Sequence, residues 1–178
     1  ERQHRVWRYE SLHGAASPFP TDADDLVAGA EPNKGLESFE TLPSGAMLAC
    51  GEWADGARDN CVRISDAGAV PFALAAPPAL AEHGGAPVDA ACVSNETCYV
   101  LFRSYRPGYG NRIAVVELTQ EGSETLGVID APLTRDNFEG LAVREQYGKT
   151  WLYLVSDDNF RNCAYDDSPT CQRTLLLK

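Results

Sequence analysis

Three times along this chain a short apolar run reads as a buried strand and stops abruptly at a charged side chain. The runs are Ala46 to Cys50 before Glu52, Thr97 to Phe102 before Arg103, and Trp151 to Val155 before Asp157. Each is too short for a globular helix and rich in aliphatic and aromatic residues, which favours strand. The charged ends lie 51 and 54 residues apart. A first run precedes each strand: Leu36 to Leu42, then Val88-Asp89-Ala90-Ala91, then Leu141-Ala142-Val143. Turns at Pro43-Ser44-Gly45 and Gly148 separate two of these pairs. At an offset of 105 residues Gly35 falls on Gly140, Leu36 on Leu141 and Glu52 on Asp157. Further short strands follow at Val62-Arg63-Ile64, Arg112 to Leu118 and Thr174 to Leu177. Only Pro78 to His83 offers a helical turn.

Self-similarity near 50 residues, in strands alone, is the pattern of β-propeller blades. The alternative is a β-sandwich whose hairpins resemble one another by accident. Residues 3–9 alternate like one more strand, 11–32 read as loop, and 71–87 as a poorly ordered Ala/Pro-rich connection. The expected fold is therefore all-β and propeller-like, a single domain over 1–178. At about 50 residues a blade the chain makes roughly three to four blades, whereas propellers close with about four to eight. It reads as part of a larger propeller, incomplete on its N-terminal side, with a second polypeptide or a missing N-terminal segment supplying the rest. A compact four-bladed ring is the other solution.

The formal charge of −11 argues against nucleic acid and anionic membranes, since both attract positive surfaces. No apolar run approaches the roughly 18 residues of a membrane-spanning helix. Six cysteines fall into the close pairs Cys50 and Cys61, Cys92 and Cys98, Cys163 and Cys171. Six cysteines allow about 15 connectivities. Local pairing is the simplest, against the alternative of buried free thiols, and none has the spacing of a zinc site. Disulfides would place the protein outside the cytoplasm, in a periplasm or secreted. Asn95-Glu96-Thr97 is a formal glycosylation sequon.

Motifs for a nucleophile elbow, a zinc-binding helix or a phosphate loop are absent, and the three histidines, His4, His13 and His83, sit in no catalytic pattern. The chemistry rests on acids. If the repeats superpose, Glu37, Glu52, Glu139, Asp157 and Asp158, with Asp89 from the middle copy, gather at one end of a central channel. Gathered carboxylates repel unless a cation or an arginine neutralises them. Oxygen ligands of this kind suit Ca²⁺, with Mg²⁺ second. Arg103 or Arg161 would supply counter-charge. The bland reading makes the same acids turn caps and salt-bridge partners. As a hydrolase site, Glu139 and Asp157 would orient or deprotonate water and Arg103 or Arg161 would steady developing charge. As a non-catalytic site, the channel would bind a ligand or a protein. Trp53 and Phe160, beside the strand-end acids, are candidates for exposure at the channel mouth.

The segments N-K-G-L-E-S-F-E-T-L-P-S-G-A-M-L-A-C-G-E, Q-H-R-V-W-R-Y, N-F-E-G-L-A-V, W-L-Y-L-V-S-D-D-N-F and Q-R-T-L-L-L resemble the phytase-like family, labelled esterase-like activity of phytase. The resemblance runs from Gln3 to Leu177 and implies a β-propeller-like, usually exported protein. It matches the C-terminal part of longer family domains. It implies hydrolysis of phosphate or carboxylic esters, and the cysteine pairs are additions to its pattern.

Overall fold

The computed structural model describes residues 6–18, 34–53, 59–130, 133, 135–158 and 174–178. A hairpin of β1 (Trp7–Tyr9) and β2 (Ala16–Pro18) precedes three antiparallel sheets. The first blade contains β3 (Leu36–Thr41), β4 (Met47–Gly51), β5 (Cys61–Ser65) and β6 (Gly68–Phe72), paired in that order. The second contains β7 (Ala86–Cys92), β8 (Cys98–Arg106), β9 (Gly110–Leu118) and β10 (Ser123–Ile129). The third contains β11 (Phe138–Gln146), β12 (Lys149–Ser156) and β13 (Leu176–Leu177). One short helix, α1 (Pro78–Ala81), lies between the first two blades in sequence. Among the described residues the result is an open, all-β, partial propeller of three blades, because these sheets do not close on themselves.

Residues 71–87 are more ordered than their composition suggests. Pro71 lies in β6, an outer strand where a missing N–H breaks no ladder, and α1 and the start of β7 fill the remainder. Asn60 ties this connection to the blade, giving its Nδ2 to Leu74 O at 2.9 Å and accepting Leu74 N–H at 2.7 Å.

Alternating faces of each sheet fill the spaces between blades. Val100 and Phe102 on one face of β8 join Leu48, Leu80, Ala114 and Val116 between blades one and two. Tyr99 and Leu101 on the other face join Ile113, Val115, Phe138, Leu141 and Leu154 between blades two and three. A third cluster, Ala49, Trp53, Val62 and Ile64, covers the far face of the first blade with Val6 against it. Disulfides Cys50–Cys61 and Cys92–Cys98 join facing residues of β4/β5 and β7/β8, and Cys50, Cys61 and Cys98 are buried in the first core. Cys163 and Cys171 lie outside the described residues.

The inner strands share an irregularity. Their registers shift between Leu36 and Ser38, between Pro87 and Asp89, and between Phe138 and Gly140. One extra residue is therefore bulged out at Glu37, Val88 and Glu139, at a constant interval along the chain. Bulges bend a strand and re-aim its side chains. This register puts Leu36 on Phe138, three residues from the pairing that the sequence suggested. The outer ends still match: Glu52, Arg103 and Asp157 come directly after, or at, the equivalent strand positions. The slip arises because the strands of the third hairpin are longer: Phe138 to Ser156 spans 19 residues against 16 from Leu36 to Gly51, although its Tyr147–Gly148 turn is the shorter one.

Candidate functional site at the channel end

All three inner strands start at the same end of the array, and the charged strand ends lie there. The guanidinium of Arg103, on β8, reaches both neighbouring blades. Nη2 donates to Glu52 Oε1 at 2.8 Å, just beyond β4. Nη1 donates to Glu139 Oε1 at 2.6 Å on β11 and to Asn137 Oδ1. Asn137 in turn donates from Nδ2 to Glu139 Oε1 at 2.9 Å, which fixes that carboxylate from a second side. Arg103 keeps 18% of its side-chain surface exposed, Glu52 28% and Glu139 40%. The cluster is therefore screened from bulk water on the arginine side and open on the Glu139 side.

Backbone bonds hold these groups at the strand ends. Glu52 N–H donates to Gly35 O at 3.0 Å and Asp157 N–H to Asn137 O at 2.8 Å, extending the ladders one step. The bulge at Glu139 turns its carboxylate toward Arg103. Guanidinium presents five N–H donors in a rigid fork. Three are committed here, leaving Nε–H and one Nη2 hydrogen without a side-chain acceptor among the described residues.

Beside the cluster is a cleft of about 240 Å³ between blades one and two, lined by Lys34, Glu52, His83, Arg103, Ser104 and Tyr105. The even-numbered face of β8 carries Cys98, Val100 and Phe102 into the core, and at Ser104 this apolar row gives way to the cleft. Trp53 forms one wall but is 4% exposed, its Nε1 donating to Asp59 O at 3.2 Å. Trp53, a candidate for exposure at the channel mouth, is thus buried. The ring folds back over Gly51, where a Cβ would meet it at 1.8 Å.

The remaining candidates are placed differently. Glu37 sits exposed on the first bulge. Asp157 is exposed, and its carboxylate is not among the groups on Arg103; Asp158 is half-buried beside it. Arg161 and Phe160 lie outside the described residues. Among the described residues no group of three or more His, Cys, Asp or Glu side chains is placed to hold a metal ion. The two acids that meet, Glu52 and Glu139, share the guanidinium of Arg103 as their counter-charge. Asp89 plays a different part: it accepts Ala90 N–H at 2.8 Å and Leu141 N–H at 2.6 Å, linking blades two and three. Burial pushes its carboxyl above the usual range, against the lowering effect of those two bonds. Asn95 is likewise a staple, its Oδ1 accepting Ser44 N–H at 2.8 Å and its carbonyl accepting from Arg63 Nη1 at 3.0 Å.

Asn137, Lys34, His83 and Ser104 were not singled out by sequence. Asn137 had a signal, two residues before Glu139 in N-F-E-G-L; the other three meet only through the inter-blade geometry.

No curated protein matches the chain. Its fold is similar to a solved structure of an alpha-L-arabinofuranosidase from Clostridium thermocellum, with a TM-score of 0.52 at 19% identity. That likeness covers 97% of this chain and 59% of the other, so the chain spans less than two thirds of its structural neighbour. The sequence profile of the Phytase-like family, described as esterase-like activity of phytase, matches residues 1–160, and the chain belongs to that family.

Proposed function

We propose that the protein hydrolyses esters at the Glu52–Arg103–Glu139 cluster, as part of an exported propeller. The observation that carries this reading is one guanidinium, held by carboxylates from both flanking blades, at the wall of an open cleft. A charge fixed in advance stabilises developing negative charge with little reorganisation. In the proposed step Glu139 accepts a proton from water, whose oxygen attacks the ester carbonyl. The uncommitted N–H groups of Arg103 stabilise the oxyanion. The C–O bond then breaks, and the leaving alkoxide takes the proton back from Glu139. Asp157, whose N–H bonds to Asn137 O beside the cluster, is assigned no part in this step.

Carboxylic esters fit better than phosphate esters. A neutral ester is not repelled by a chain of net charge −11, whereas a phosphate ester would need a bridging cation. The described residues group no ligand set for one, so no step is assigned to a metal. The disulfides agree with export, and no helix among the described residues is long and apolar enough to cross a membrane.

Turnover of p-nitrophenyl acetate and p-nitrophenyl phosphate, each with and without calcium, tests the proposal. Glu139→Gln is expected to lower acetate turnover roughly a hundredfold or more. Unchanged turnover in that variant would remove Glu139 from the mechanism. A second reading, a non-catalytic propeller that binds a small ligand, draws on the fact that both carboxylates are already engaged by Arg103. Ligand binding without turnover in the wild type would favour it.

A further inference from the structure

One strand outward from the cleft, Arg112 on β9 faces Ser104 across the ladder. Its Nη1 donates to Ala79 O at 2.6 Å, and its Nη2 donates to the Tyr109 hydroxyl at 2.9 Å and pairs with Asp130 Oδ2 at 2.7 Å. Arg135 approaches the same carboxylate, Nη1 lying 3.5 Å from Asp130 Oδ1. The Tyr109 hydroxyl is 3.1 Å and 3.2 Å from the two carboxylate oxygens of Asp130. Both guanidinium groups lie over the Tyr109 ring, at 5.1 Å for Arg112 and 4.5 Å for Arg135.

Among the described residues the ion pairs of Arg112 and Arg135 both fall on one carboxylate, that of Asp130. Among the described residues the buried side-chain nitrogen and oxygen atoms without a hydrogen-bond partner are Arg112 Nε and Arg135 Nη1. Both belong to this one cluster. Arg135 Nη1 has only its long ion pair with Asp130, and Arg112 Nε has no acceptor; buried donors without a hydrogen bond are costly and call for a further acceptor. A neutral acceptor would satisfy the N–H groups but leave the charge; an anion does both.

We propose that Arg112 and Arg135 form a binding site for a small oxyanion, a carboxylate, phosphate or sulfate group, seated between their guanidiniums and covered by the Tyr109 ring. In this proposal the anion enters past the Tyr109 ring. Tyr109 is 38% exposed and follows Gly108, whose φ of 78° marks a tight turn. The site does not depend on the ester-hydrolase reading, since the contacts described for Arg112, Arg135 and Tyr109 do not include Glu52, Arg103 or Glu139.

Calorimetric titration with sodium acetate, phosphate and sulfate, at ionic strength matched by chloride, tests this. Saturable binding of at least one anion is expected, with chloride inert. Arg112→Gln and Arg135→Gln should each weaken it at least tenfold. Asp130→Asn removes the competing carboxylate and should tighten it, a gain that a merely misfolded variant cannot imitate. Glu139→Gln should leave the affinity unchanged. The proposal is overturned by the absence of saturable binding in both wild type and Asp130→Asn. Full affinity in Arg135→Gln, or loss of binding in Glu139→Gln, would overturn it equally.

Discussion

Asp89 shows how much one side chain can hold. Its two oxygens take the backbone N–H groups of Ala90 and, across the blade boundary, Leu141. Removing the carboxyl in Asp89→Ala strands those donors and is expected to cost about 1–3 kcal/mol in urea unfolding. The pH dependence has a definite sign. Burial raises the folded-state pKa above the ordinary carboxyl value, so the folded protein binds the proton more readily than the unfolded chain. The contribution of Asp89 is fully present below the unfolded value and is lost as pH rises through the folded one. Melting temperatures of wild type minus Asp89→Asn should therefore grow as pH falls toward 3.8; a flat or opposite trend would contradict the burial argument. Gly51 is the second sensitive position. A methyl group there collides with the Trp53 ring, so Gly51→Ala should cost about 1–3 kcal/mol and shift tryptophan emission to the red.

At the scale of elements, the hairpin between β11 and β12 depends on two consecutive residues with positive φ, Tyr147 at 54° and Gly148 at 69°. That pairing fits the twist of the strands, and only glycine adopts it without steric cost. Gly148→Ala is expected to destabilise by about 1 kcal/mol, read as a lower urea midpoint with an unchanged slope. The strands that end at Glu52, Arg103 and Asp157 were legible because burial on both faces writes a continuous apolar run bounded by charge. The outer strands β6 and β10 were not, because exposed positions such as Val70 and Leu126 carry no such contrast. Glu52, Arg103 and Glu139 could be nominated as candidates for one place from repeat spacing alone. The inner-strand bulges could not be read, since an extra residue leaves no mark on composition. For the same reason the sequence could not tell which of the grouped acids Arg103 pairs with: Glu52 and Glu139.

For the molecule as a whole, Arg103 is the point where all three blades meet. Arg103→Met leaves Glu52 and Glu139 facing each other without counter-charge. The expected loss is about 1–3 kcal/mol, toward the lower end because the Glu139 side chain is 40% exposed and solvent screens it. The same variant frees hard oxygen donors, including Asn137 Oδ1, so millimolar calcium should raise its melting temperature more than that of the wild type. Equal calcium responses in the two proteins would show that the guanidinium is not what occupies the place of a cation.

The displaced residue on each inner strand has a wider consequence. At one recurrent address the chain writes an exposed acid, a buried valine and a catalytic candidate in turn, while strand pairing resumes unchanged on either side. Geometry is copied from module to module and chemistry is not. A lineage built this way can exchange the reactive group of one module and leave the architecture of its neighbours untouched.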